Sequence, residues 1–430
     1  MSFALSVMLI LFAILMFLGF PLSFTMILSS ILYFLFSGKP LYLVVHRMFT
    51  GIDTFTLMAI PFFILAGELM VYSGTAKKLL DFSNLLVGRF RGGLGYVNVL
   101  ASMLFGGCSG SAISDVAGLG TLELKMMETA GYDKAFSTAV TISSAIQGPI
   151  IPPSIPIVLI GAVTGTSIGG LLLGSAVPGV LVGLAQMLVV FYVSRERNFP
   201  RNVLNLRFLD KIKIVIESIP FLIMPLIIIG GIIGGLFTPT EASAVAVFYG
   251  ILLTLIFNRK VTLKDIKDLF KRSVITASTV LLLSASSNIF GWILATEQIP
   301  ERLGNIMSSI SQDPKMFLLI VNIALLIWGM FMDSLPAITI LAPILFPIAL
   351  RYGIHPIHFG VVMNFNLVIG LITPPYGVAL FTGMMVSNLP MEKIVKEIIP
   401  FIIASICVLF FVTYFPNIIM FLPSLFGLNR

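Results

Sequence analysis

Gly148-Pro149-Ile150-Ile151-Pro152-Pro153 and Gly370-Leu371-Ile372-Thr373-Pro374-Pro375 contain the two Pro-Pro dipeptides of the chain, each with a glycine four residues before its first proline. Both runs lie inside apolar sequence. Proline has no backbone N–H and its ring collides with the carbonyl four residues back. Each pair therefore breaks a helix and bares the carbonyls of Gly148 and Pro149, or of Gly370 and Leu371. In lipid, such backbone is tolerated only where protein covers it or where it lines a cavity, and matched breaks in two halves of a chain point to a transporter's binding site. The half-helix beginning at each pair offers the positive end of its dipole, which favours an anionic group nearby.

The composition excludes a soluble protein: 430 residues, 58% hydrophobic and 10% charged, with mean hydropathy +1.06. At about 20 residues per crossing, the length allows on the order of a dozen crossings or re-entrant pieces. The excess of 26 Lys and Arg over 19 acids is modest and scattered in short loops. It orients helices in a membrane rather than forming a nucleic-acid surface. Cys108 and Cys407 lie in separate apolar regions, which excludes a disulfide framework or metal cluster and reads as two packed thiols. The first twenty residues lack the basic start and small-residue cleavage site of a secretory signal, so they read as a retained helix joined at Pro21 to a second.

An offset of 222 residues aligns Gly107 with Gly329, Gly131 with Gly353, Gly148 with Gly370, Pro152 with Pro374, Pro153 with Pro375 and Gly161 with Gly383, without a gap. A shared spacing of helix breakers predicts an internal repeat. The basic clusters Arg195–Lys213 and Arg259–Arg272 flank two apolar segments near 214–236 and 240–257, so both clusters are expected inside. Lys77, Lys78, Arg89, Arg91, Lys125, Lys134, Lys393 and Lys396 then fall inside too. Lys39, Arg47, Arg302, Lys315, Arg351 and Arg430 fall outside. The two halves are then expected to run in opposite senses, with both termini facing outward.

The expected fold is an all-α polytopic membrane protein with an inverted repeat. Residues 1–74 hold scaffold helices and a third helix, 75–91 an amphipathic interfacial segment, and 92–194 a hairpin, broken helix and closing helix. A cytoplasmic linker at 195–213 leads to residues 214–299, which repeat the scaffold and third helix with a cytoplasmic amphipathic segment at 258–272. An outer amphipathic segment spans 300–313, the second hairpin and broken helix 314–388, and the last turn and helix 389–430. Thr75–Arg91, Val261–Ser273 and Pro300–Ser311 mix charges with Leu, Ile and Phe at helical spacing, which suits helices lying along the interface.

Chemistry concentrates at the predicted hairpin tips. Gly106-Gly107-Cys108-Ser109-Gly110-Ser111-Ala112-Ile113-Ser114-Asp115 is too small and polar for a lipid-facing helix. Its hydroxyls and exposed carbonyls make an oxygen cage suited to a hard monovalent cation; packing of small residues is the plainer reading. The second tip is Gly329-Met330-Phe331-Met332-Asp333-Ser334-Leu335-Pro336. There Asp333 is expected to be paired, protonated or near a cation, or to cap the outgoing helix, which Asp115 can also do. Thr141, Ser143, Ser144, Gln147, Asn364 and Asn366 precede the breaks. They either face a shared cavity and hold a solute or bond helix to helix. Arg351, His355 and His358 are expected at the outer surface and not as ligands.

These motifs resemble the large membrane subunit of tripartite ATP-independent periplasmic (TRAP) transporters. The likeness rests on Gly107–Ser111 with Ala112–Asp115, the Gly-x-x-Ile-Pro-Pro-Ser run ending at Ser154, Asp333, and the Gly-x-x-Thr-Pro-Pro-Tyr-Gly run ending at Gly377. It covers essentially the whole chain. The resemblance implies an elevator, in which a transport domain of hairpins and broken helices slides against a scaffold in the bacterial inner membrane. It implies no catalysis and no cofactor, with sodium as the coupling ion. One sodium site would involve Gly107, Ser109, Gly110, Ser111, Gly148, Pro149 and Ile151, and another Gly329, Asp333, Gly370, Leu371 and Thr373. A carboxylate substrate would meet Ser111, Ser144, Pro153, Ser154, Asn366 and Pro375. The implied partners are a small four-helix membrane subunit, expected as a separate polypeptide, and a periplasmic binding protein that delivers substrate.

Three other readings stay open. A self-contained sodium-coupled dicarboxylate or citrate carrier would share the repeat but need no delivery protein. An intramembrane protease would use the Gly-x-Ser-Gly of the first tip, yet His46, His355 and His358 map to the other side of the membrane. A passive channel would need a continuous path where two hairpins occlude.

Overall fold

The computed structural model describes residues 2–197, 199–200, 207–258 and 261–428. The middle of the 195–213 linker, Arg259, Lys260 and Arg430 lie outside the described residues. No strand occurs among those described.

The chain begins with α1 (Phe3–Phe17) and α2 (Leu22–Ser37), joined at Pro21. Next come α3 (Tyr42–Ile52), a 3-10 turn at Phe55–Met58, α4 (Ala59–Tyr72) and α5 (Thr75–Val87). The first hairpin is α6 (Gly93–Ser109) against α7 (Ala112–Ala117) and α8 (Leu119–Thr129). The first broken helix is α9 (Lys134–Ala145), nine non-helical residues through Ser154, and α10 (Ile155–Thr164). The 29-residue α11 (Ile168–Glu196) closes this half.

The succession then recurs. It runs through α12 (Phe208–Ile233), α13 (Pro239–Phe257), α14 (Leu263–Thr296), α15 (Ile299–Ile310), the hairpin α16 (Pro314–Gly329) and α17 (Ser334–Arg351), α18 (Pro356–Gly370), α19 (Val378–Ser387) and α20 (Met391–Tyr414), with α21 (Pro416–Leu425) added at the end. Among the described residues, seven helices are long and apolar enough to cross a membrane, or eight if the α15–α16 pair, bent by 117°, counts as one span. The tips and broken helices supply shorter pieces, so fewer full crossings are present than the length alone allows.

Corners fall where the backbone turns left-handed. Gly74 (φ +85°) separates α4 from α5, and Gln298 (φ +57°) does the same between α14 and α15. Of the separate amphipathic segment expected at 258–272, residues 263–272 are instead the start of the continuous 34-residue α14. Thr262 and Asp265 form a capping box that fixes its beginning. No proline follows within the helix, so nothing ends it before Thr296.

The two broken helices occupy the core. Phe136 through Ala145 of α9 and Ile357 through Gly370 of α18 are buried without exception. Around them the halves interlock: α7 packs on α19, and α17 packs on α10. A smaller core closes α1, α2 and α3 against α14, with Phe12 and Phe290 rings 4.9 Å apart and Phe34 and Trp292 5.9 Å apart. Lipid gives apolar side chains little reason to associate, so buried polar pairs add cohesion, at about 0.6 kcal/mol each on average. Here they are Asn98 with Thr141 (2.7 Å), Ser102 with Ser144 (2.9 Å), Gln147 with Gln186 (2.6 Å) and Asn322 with Asn366 (2.6 Å).

Two surface expectations are corrected. His358 is buried, its Nε2 3.3 Å from the Val412 carbonyl, because α20 covers the first turn of α18. Cys407 is exposed on α20 rather than packed, while Cys108 is buried.

Candidate functional site at the hairpin tips

Gly110 turns the first tip. Its φ of +63° lies where only glycine sits without strain, and a Cβ there would stand 2.9 Å from the Pro153 carbonyl oxygen. The tip therefore touches the first break directly. Ser111 then opens α7, its hydroxyl accepting the Ser114 N–H at 3.5 Å. The Ser109 hydroxyl donates to Oδ1 of Asp115, which is 2% exposed. Oδ2 of Asp115 has no partner, and a Cβ on Gly148 would come within 2.8 Å of it.

The second tip is built the same way with different residues. Asp333 caps α17, accepting the Ser334 N–H at 2.5 Å and its hydroxyl at 3.2 Å. Gly329 lies against Gly370, so that a Cβ on Gly329 would stand 3.2 Å from the Gly370 Cα. A Cβ on Gly370 would run into the Gly329 backbone. The Pro152-Pro153 and Pro374-Pro375 peptides are both cis.

The carbonyls that the prolines leave without helical donors are mostly engaged elsewhere. Pro149 O accepts the Ser154 hydroxyl at 2.6 Å and the Asn364 amide at 2.9 Å. Gly370 O accepts the Thr373 N–H at 3.1 Å, and Leu371 O accepts Ala379 and Leu380 N–H groups at 3.0 and 3.3 Å. The Gly148 carbonyl accepts no backbone hydrogen bond among the described residues. The expectation of four bare carbonyls is thus corrected for three, because a buried acceptor draws whichever donor folding brings near.

Between the tips lies a cavity of about 460 Å³. Hairpin 1 contributes Ser109–Ser114, hairpin 2 Asp333, Ser334 and Leu335, and the breaks Pro149 and Leu371. Ile155 and Pro156 bring the N-terminus of α10 to the same wall. Of the expected ion and substrate residues, the cavity gathers Ser109, Gly110, Ser111, Pro149, Asp333 and Leu371. Behind it Gly106 meets Gly148 and Gly329 meets Gly370 in the close contacts between tip and break, while a Cβ on Gly107 would meet Pro225 of α12 first, at 3.2 Å.

The remaining expected residues do not line the cavity. Ile151 packs on Gly179 of α11, Thr373 donates to the Ile369 carbonyl at 2.8 Å, and Pro153 lies over Gly110. Ser154 caps α10, and Pro375 is exposed beside Tyr376. Ser144 and Asn366 also lie off the cavity wall: the Ser144 hydroxyl accepts from Ser102 and donates to Asn98, while the Asn366 amide donates to Asn322 and to the Val362 carbonyl of its own helix and its Oδ1 has no partner. None of the three histidines reaches the cavity.

The far wall comes from helices that tip motifs do not reveal: Ile64, Gly67, Glu68 and Val71 of α4, and Ile275, Thr276, Thr279 and Val280 of α14. Glu68, half-buried and 3.9 Å from Arg272, was missed. Its signal is a carboxylate alone within an apolar span. The wall carries two carboxylates, Glu68 and Asp333, and no Lys or Arg.

Residues 9–418 match the family model described as "Tripartite ATP-independent periplasmic transporter, DctM component". The chain is 42% identical to YgiK of Salmonella typhimurium, over 97% of its own length and 96% of that protein. It is 38% identical to the sialic acid TRAP transporter large permease protein SiaM of Vibrio cholerae, over 96% of both. Among solved structures, the YdaH transporter of Alcanivorax borkumensis shares the fold at a TM-score of 0.63, covering 87% of this chain and 88% of that one at 13% identity. TRAP large permeases work with a small membrane subunit and a periplasmic binding protein. With two breaks, two tips and one cavity between them, the chain belongs to the family of the DctM component, the large permease of TRAP transporters.

Proposed function

We propose that this permease imports a small organic acid, delivered by a periplasmic binding protein, in symport with sodium across the bacterial inner membrane. The observation that carries this reading is the charge of the cavity wall. Glu68, paired with Arg272 at 3.9 Å, and Asp333, which has no basic partner within 4.0 Å among the described residues, face a space of about 460 Å³ without a basic lining residue, so a carboxylate entering alone would meet the like charge of Asp333. Sodium bound at the tips reverses that sign, using the oxygens of Ser109, Ser111 and Asp333. The N-termini of α10 and α17 at the cavity add partial positive charge for the anion. The sialic acid transported by the relative SiaM is itself a carboxylate, which fits this polarity.

The two halves are read as inverted, with both termini periplasmic. The hairpins and broken helices are read as a unit that slides along α4 and α14. The test is uptake into liposomes holding the permease and its small subunit, with the binding protein outside. Uptake of a radiolabelled organic acid should need an inward sodium gradient and the delivery protein. Equal uptake in potassium would overturn the coupling. Uptake of free substrate by the permease alone would favour a self-contained carrier.

A further inference from the structure

A second cavity, of about 270 Å³, lies further along α14. Its wall includes Arg47 of α3 together with Ser284, Ser287, Asn288 and Trp292 of α14. Arg47 stacks over the Trp292 ring at 5.1 Å and has no carboxylate within 4.0 Å among the described residues. Asn288 is exposed into this space, and Gly51 lets α3 approach it, since a Cβ on Gly51 would stand 2.5 Å from the Asn288 Cβ. A guanidinium without a counter-charge, an amide and a hydroxyl around a small space are the donors a carboxylate takes.

The two cavities share one helix. Thr276, Val280, Ser284, Ser287 and Gly291 follow one another at spacings of three and four residues, and so form one strip along α14 that joins the spaces. Helix α17 lies along this strip: the Ser287 hydroxyl donates to the Thr339 carbonyl at 2.5 Å, and Gly291 meets Pro343. From Thr276–Thr279 to Ser287–Asn288 the rise is about 15 Å.

We propose that the Arg47–Asn288 cavity is a carboxylate-binding subsite, and that it forms the scaffold's half of the substrate site when the tips stand about one such step further along α14. This second clause rests on the sliding reading above. At the acidic cavity sodium offsets Asp333; at this one Arg47 holds the anion itself.

The chain carries two tryptophans, so a Trp328→Phe variant leaves Trp292 as reporter. Acetate, succinate and sialic acid, each titrated at constant ionic strength into the full permease with its small subunit, are the probes. At least one should change Trp292 emission saturably. Arg47→Gln should weaken that response about tenfold or more, as loss of a charged hydrogen-bonding partner does. Arg47→Lys should retain part of it. Asn288→Asp, which places a carboxylate in the space, should also suppress it and serves if Arg47→Gln does not fold. No saturable response to any probe, or a response indifferent to both Arg47 and Asn288, overturns the proposal. Sodium-dependent uptake by the Trp328→Phe protein, measured separately, distinguishes failure of this subsite from failure of the transport reading.

Discussion

At the scale of single residues, glycine decides how close tip and break approach. Gly370→Ala sets a methyl against the Gly329 backbone, where neither side is a flexible side chain that can yield. Gly230 of α12 has open space around its missing Cβ. Gly370→Ala should lower the melting temperature in detergent by several degrees and abolish uptake, while Gly230→Ala leaves both near the parent value. Asn364 is the other decisive residue, because its amide crosses from α18 to the Pro149 carbonyl. Asn364→Leu should cost about 1 kcal/mol by removing one of the two donors to that carbonyl, the Ser154 hydroxyl remaining, read as a lower midpoint in chemical or thermal unfolding. Gln298 holds φ +57° without being glycine. Replacing it with glycine should stabilise the corner by up to about 1 kcal/mol, seen as a raised melting temperature.

At the scale of elements, the Pro-Pro breaks were legible in sequence because a missing N–H is a property of the residue itself. Tip 1 was legible for a similar reason, since Gly106–Asp115 is too polar for lipid. The fate of the bared carbonyls was not legible. Ser154 sits five residues from Pro149, but Asn364 is 215 residues away. Replacing Pro152-Pro153 or Pro374-Pro375 with Ala-Ala restores donors to the carbonyls four residues back, and should abolish ion-dependent uptake in liposomes. Undiminished sodium dependence in either variant would show that the breaks do not hold the ions. The continuous α14 was also hidden. Its first turns read as an interfacial helix by composition, and the structure shows that they continue inward through a stretch without proline to Thr296.

At the scale of the whole molecule, the crossing of α7 onto α19 and α17 onto α10 makes each half complete the other's core. Fragments 1–206 and 207–430 expressed apart should therefore be degraded, and expressed together should assemble into a species that resists limited proteolysis. Stable accumulation of either alone would contradict that interdependence. By itself the sequence determined the class, the repeat of breakers and the tip residues, because hydropathy, proline and glycine act on their own neighbourhood. It misjudged His358 and left Ser144 and Asn366 open, since the same polar atoms serve a cavity or a neighbouring helix equally well until their neighbours are known. Only the tertiary structure decided those, and it alone brought Glu68, Thr276 and Thr279 to face Ser109 and Asp333. Such a wall is a matter of which helices lie side by side, and no periodicity within one segment records what stands opposite it.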